Sequence, residues 1–87
     1  DRHPMSLSGG QADLTEVLLP TDFALAGQTL TQALIPPEVV LVSITRNERL
    51  LIPRGGTVLL PGDRVLCLAR DEGLRQLMRD WKLEEKR

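Results

Sequence analysis

The sequence predicts a small α+β fold: a mostly antiparallel β-sheet with one short helix and a C-terminal amphipathic helix. Three observations carry that prediction. Residues 39–46, VVLVSITR, are apolar and β-branched, the composition of a strand. Residues 64–69, RVLCLA, form a second short apolar run after Pro61-Gly62-Asp63, a tight-turn signal. Residues 71–83 place Leu74, Leu77, Met78 and Trp81 at i, i+3, i+4 and i+7, one stripe of an amphipathic helix.

The remaining elements follow in chain order. Residues 1–12 hold Pro4, Ser6, Ser8, Gly9 and Gly10 with no periodicity, and read as a flexible linker or an expression remnant. Residues 13–19 alternate loosely and end at Pro20, so they read as a strand. Phe23 and Leu25 lie in a connection expected to tuck under the sheet. Residues 29–34 read as a short helix, with Leu30, Ala33 and Leu34 at helical spacing and Pro36 and Pro37 to stop it. Asn47-Glu48 is a polar break, after which residues 49–52 return as a strand. Arg54-Gly55-Gly56 breaks the chain again. Asp71 and Glu72 favour the start of the last helix through its dipole. Residues 84–87 are a charged tail, which leaves one domain over residues 13–83.

The two central strands are apolar on both sides. Val40, Val42 and Ile44 alternate with Val39 and Leu41; Val65, Cys67 and Ala69 alternate with Leu66 and Leu68. A strand apolar on both faces calls for cover on both faces. One short and one longer helix are little cover in 87 residues, and a chain of this length buries only roughly 60–65% of its unfolded surface. A second copy is the natural second cover.

Composition excludes several function classes. The net charge is −1 and the pI 5.8, which argues against a nucleic-acid partner, whose footprint is basic. The aromatic residues are Phe23 and Trp81, with no Tyr, so no base-stacking platform is expected. The single Cys67 cannot close an internal disulfide and points to a reducing compartment. No apolar run approaches the ~18 residues of a membrane span. No signal peptide is legible, and the absence of an initial Met suggests a piece cut from a larger protein, membrane-bound or not.

Catalytic and metal chemistry find no support. The lone His3 has no companion ligands in sequence. Asp63 reads as a turn residue whose carboxylate bonds local N–H groups. Cys67, between Leu66 and Leu68, reads as a small buried hydrophobe. Asp13 and Glu16 read as solvated. Gly55-Gly56 lacks the Lys-Ser/Thr and the long helix of a phosphate loop. Arg46, Arg49, Arg54 and Arg64 read either as a solvated edge that discourages sheet aggregation or as forks for an anionic ligand.

The ordered set Leu19-Pro20, Ala26-Gly27-Gln28-Thr29-Leu30, Leu34, Pro36, then Ile44-Thr45-Arg46 closing a strand, Leu51-Ile52-Pro53-Arg54-Gly55 and Leu60-Pro61-Gly62-Asp63-Arg64 resembles the TrkA-C domain. That domain is the C-terminal subdomain of regulator of potassium conductance (RCK) modules. The resemblance covers residues 13–69, and the closing helix is compatible with it. It implies a dimeric regulatory domain, not an enzyme, at the cytoplasmic face of the membrane. Its partners would be a second copy and the transmembrane domain of a bacterial potassium channel, uptake system or cation/proton antiporter. Some members bind cyclic di-AMP at the dimer interface, and the matching positions here are Val40, Leu41 and Arg46. Regular alternation puts Arg46 on the strand face of Val40, Val42 and Ile44. No GxGxxG is present, so no NAD, ATP or other cofactor is implied. A purely structural dimerisation module is the alternative expectation.

Overall fold

The computed structural model describes residues 5–83. His3, the first four residues of the expected linker and the charged tail lie outside them. Five strands form one sheet: β1 (Met5–Leu7), β2 (Ala12–Leu18), β3 (Val39–Arg46), β4 (Arg49–Leu51) and β5 (Arg64–Ala69). Their order is β1-β2-β5-β3-β4, and every neighbouring pair is antiparallel. Two helices complete the fold, α1 (Leu30–Ala33) and α2 (Asp71–Asp80).

One face of the sheet holds the core. Thr15 and Val17 of β2, Val65, Cys67 and Ala69 of β5, and Val39 and Ile44 of β3 are buried on it. Helix α2 lies across β5 and β3. It turns Gly73, Leu77 and Trp81 inward, with Leu74 and Met78 packed at the border. Gly73 marks the closest approach: an added Cβ would stand 3.0 Å from the Glu38 carbonyl oxygen. Trp81 meets Phe23 edge-to-face at 5.9 Å, the geometry that aromatic quadrupoles favour. Leu30 of α1, with Leu19 and Leu59 of the connecting segments, closes the core.

The other face is uncovered. Leu18, Val40 and Val42 are exposed there, beside half-buried Leu14, Leu66 and Leu68. The expectation of strands covered on both sides therefore holds for one side within this chain.

Several boundaries differ from expectation, each for a local reason. Residues 5–7, expected in a linker, form edge strand β1 and pair with residues 12–14. Short and flanked by Ser and Gly, that strand carries no periodic signal of its own. The early strand runs Ala12–Leu18 rather than 13–19. Glu16 on it is not simply solvated, because Arg64 lies 3.2 Å away. Helix α1 is shorter than 29–34. Thr29 is its N-cap in a reciprocal capping box with Gln32, and Leu34 at φ 60° already leaves the helix, 73% exposed. Strand β4 ends at Leu51, one residue early. Helix α2 stops at Asp80 in a Schellman turn: the Leu83 N–H donates to the Met78 carbonyl and the Lys82 N–H to that of Arg79, with Lys82 at φ 57°.

Candidate functional site

The best-defined polar feature is built by the turn at residues 60–63. Pro61 presets its own φ and Gly62 takes φ 89°, so the Asp63 N–H returns to the Leu60 carbonyl at 3.2 Å. Leu19 holds the turn from the side, accepting from the Gly62 N–H at 2.7 Å and donating to the Asp63 carbonyl at 2.9 Å. The Asp63 carboxylate is thereby aimed into the covered face, where it is fully buried.

Arg46 meets it there. Nε donates to Oδ1 and Nη2 to Oδ2, both at 2.8 Å, and Nη2 also donates to the Val58 carbonyl at 2.7 Å. The Leu60 N–H adds a bond to Oδ2 at 3.0 Å. This forked geometry is the strong form of an arginine–carboxylate contact. Hydrogen bonding to Asp63 pushes the Arg46 guanidinium above its ordinary value, and the opposing effect of burial is smaller. The clamp ties the end of β3 to the 58–63 segment. Of the two expectations for Arg46, a solvated edge is corrected: its side chain is 26% exposed and paired. The turn role expected of Asp63 is present in the Leu60 bond, and the arginine is the part sequence reading missed.

The three residues expected to share a ligand lie apart within one copy. Val40 and Leu41 are neighbours on a strand and face opposite sides. Leu41 opposes Cys67 on the covered face and lines a shallow groove of about 320 Å³ with Leu30, Ile35, Pro53, Arg54 and Gly55. Val40 opposes Leu68 on the uncovered face, in a second groove of about 420 Å³ with Pro37, Glu38 and Arg70. Arg46 lines neither. A β-bulge between Leu41 and Ser43 leaves Val42 without a cross-strand partner. Beyond it, Ile44 and Arg46 turn to the side of Leu41. The expected grouping of Arg46 with Val40 and Val42 is therefore corrected; only Ile44 shares its face.

Arg54 is the groove residue that the ligand reading did not single out. Its loop is pinned to α1 through Gly55, whose carbonyl accepts from both the N–H and Oγ1 of Thr31, at 3.1 and 3.0 Å. A Cβ on Gly55 would stand 2.6 Å from that Oγ1, so the close approach requires glycine. Cys67 is buried, and burial pushes its thiol up to about 12. Among the described residues no cluster of His, Cys, Asp or Glu is arranged to hold a metal ion, and no helix is long and apolar enough to cross a membrane.

The TrkA-C domain family matches residues 14–80. The chain belongs to that family. No curated protein matches it as a relative. Solved structures share the fold of this TrkA-C domain at low identity. An RCK domain solved with cda is 24% identical at a TM-score of 0.68, covering 78% of this chain and 96% of that one. The RCK_C domain dimer of S. agalactiae BusR in complex with c-di-AMP is 14% identical at 0.71, covering 82% and 97%. BusR in complex with its busA-promotor DNA aligns at 0.74 and 12% identity, covering 92% of this chain but 42% of that one. The GsuK channel bound to NAD is 23% identical at 0.67, covering 85% and 14%. Identities this low establish the shared fold, a small antiparallel sheet with two helices. The family is one of regulatory domains.

Proposed function

We propose that this TrkA-C domain is the ligand-sensing module of a bacterial potassium channel, potassium uptake system or cation/proton antiporter. It works as a homodimer at the cytoplasmic face of the membrane and takes cyclic di-AMP between two copies, through Val40, Leu41 and Arg46. The observation that carries the reading is the fixed Arg46. Its bonds to Asp63 and Val58 use Nε and Nη2, so Nη1 takes no part in them. A guanidinium held in one orientation binds phosphate with little further loss of side-chain entropy. Because Val40 and Leu41 diverge in one copy, the apolar surfaces for two bases have to come from two.

Calorimetry with cyclic di-AMP tests this. Wild type is expected to bind, and Arg46→Lys, which keeps a charge for Asp63 but loses the fork, to bind more weakly by ~1.5–3 kcal/mol. Absence of heat with wild type removes the ligand; indifference to Arg46→Lys removes the site.

A specific observation favours the structural alternative: the Arg46 charge is already compensated by Asp63. An intact dimer that gives no heat selects that reading. The parent protein is a separate matter. BusR was solved on DNA, so the argument from composition against nucleic acid concerns the surface of this domain and not the protein that carries it. Apolar spans in the parent chain would support a transporter, and a DNA-binding segment would support a regulator.

A further inference from the structure

The groove that Leu41 lines beside α1 is apolar apart from one unanswered charge. Leu30, Ile35, Leu41 and Pro53 form its apolar surface. Leu30 is buried, and the other three keep part of their surface open. Arg54 is the one charged residue of the lining, and among the described residues its guanidinium takes part in no ion pair or hydrogen bond. The backbone that carries it is fixed. The Arg54 N–H donates to Thr57 Oγ1 and its carbonyl accepts from the Thr57 N–H, both at 3.0 Å. Gly55, the next residue, is tied to Thr31 of α1. The groove on the uncovered face is different in kind. Glu38 and Arg70 both line it, so opposite charges are already at hand there.

We propose that the Leu41 groove binds a small organic monocarboxylate, its carboxylate forked by Arg54 and its apolar body laid against Leu41, Ile35 and Pro53. The charge count selects the headgroup. One guanidinium matches one carboxylate in a planar fork. A phosphate monoester carries about two negative charges at neutral pH, and no residue of the lining meets the second. The volume selects the size. At about 320 Å³ the groove stands at the lower end of ligand cavities, room for a molecule smaller than a dinucleotide. Every lining residue comes from one copy, so the site needs neither the dimer nor cyclic di-AMP. Leu41 is common to both readings, and Arg46 and Arg54 tell them apart.

Amide chemical shifts of the isotope-labelled chain during titration with hexanoate test the site. Shifts should concentrate in α1, at Leu41 and at Arg54 and Gly55. Hexanamide, a similar apolar body without the charge, should bind about tenfold more weakly, as a neutral hydrogen bond replaces a charge-assisted one. Arg54→Gln should weaken hexanoate by about the same factor and leave hexanamide unchanged. That variant should keep the wild-type urea midpoint, because the Arg54 side chain holds nothing in the fold. Arg46→Lys should leave hexanoate binding unchanged. Hexanoate that causes no shifts in the groove, binds no better than hexanamide or ignores Arg54→Gln overturns the site. Inorganic phosphate that displaces hexanoate overturns the choice of a monocarboxylate. Hexanoate bound through Arg54 in a chain indifferent to cyclic di-AMP supports this site while removing the earlier ligand.

Discussion

Asp63 and Arg64 are neighbours in the chain, yet each belongs to a different arginine–carboxylate pair on a different face of the sheet. Arg46 and Asp63 meet in a fork on the covered face, with the carboxylate 1% exposed. Arg64 and Glu16 meet through one contact of 3.2 Å on the uncovered face, with side chains 48% and 29% exposed. The chemical groups are the same; the surroundings differ. A buried carboxylate depends on its partners because water cannot replace them, whereas an exposed one loses little when its partner goes. The first pair fixes the 58–63 segment to β3, and the second only decorates two strands that their backbone ladder already holds.

The comparison is broken most severely from the covered side. Arg46→Ala leaves the buried Asp63 carboxylate with the Leu60 N–H as its remaining partner, and urea unfolding should show a loss of about 3–5 kcal/mol. A loss below about 1 kcal/mol would mean the segment is held by its backbone turn alone. Cys67 sharpens the contrast by probing how dry that face is. Burial raises its thiol from 9.0 to about 12. Above 9 the unfolded chain releases a proton that the folded one keeps, so stability falls as pH rises and goes on falling toward 12. Between pH 8 and 10 wild type should lose about 1 kcal/mol relative to Cys67→Ala, by linkage; parallel pH profiles would place water at the thiol. The smallest effect belongs to the uncovered face. Glu16→Gln should cost no more than about 0.5 kcal/mol, and that difference should vanish in ~1 M salt, where exposed pairs are screened.

The sequence made the three central strands and the last helix legible because each has a strong local pattern. β-Branched runs, a Pro-Gly-Asp turn and a four-residue apolar stripe need no knowledge of what lies across the sheet. The clamp was not legible, since Arg46 and Asp63 are 17 residues apart and their meeting depends on β3 and β5 being neighbours. The bulge was hidden for another reason. Val39-Val40-Leu41-Val42 is apolar throughout, so no alternation existed for an extra residue to interrupt. That is why Arg46 was expected on the face of Val40. β1 was missed because three residues among Ser and Gly are too few to show a period.

The bulge at Val42 acts as a parity switch. Before it, odd-numbered residues of β3 point inward; after it, even-numbered ones do. A strand keeps no other record of phase, so the same residues paired without the bulge would turn over the whole distal half of β3. Ile44 would leave the core and Arg46 would be delivered to solvent, stranding Asp63 in the interior without a single change to either residue. Loss of Val42 itself would spare that phase: Ser43 would follow Leu41 against Leu66 and Cys67, with Ile44 and Arg46 still inward.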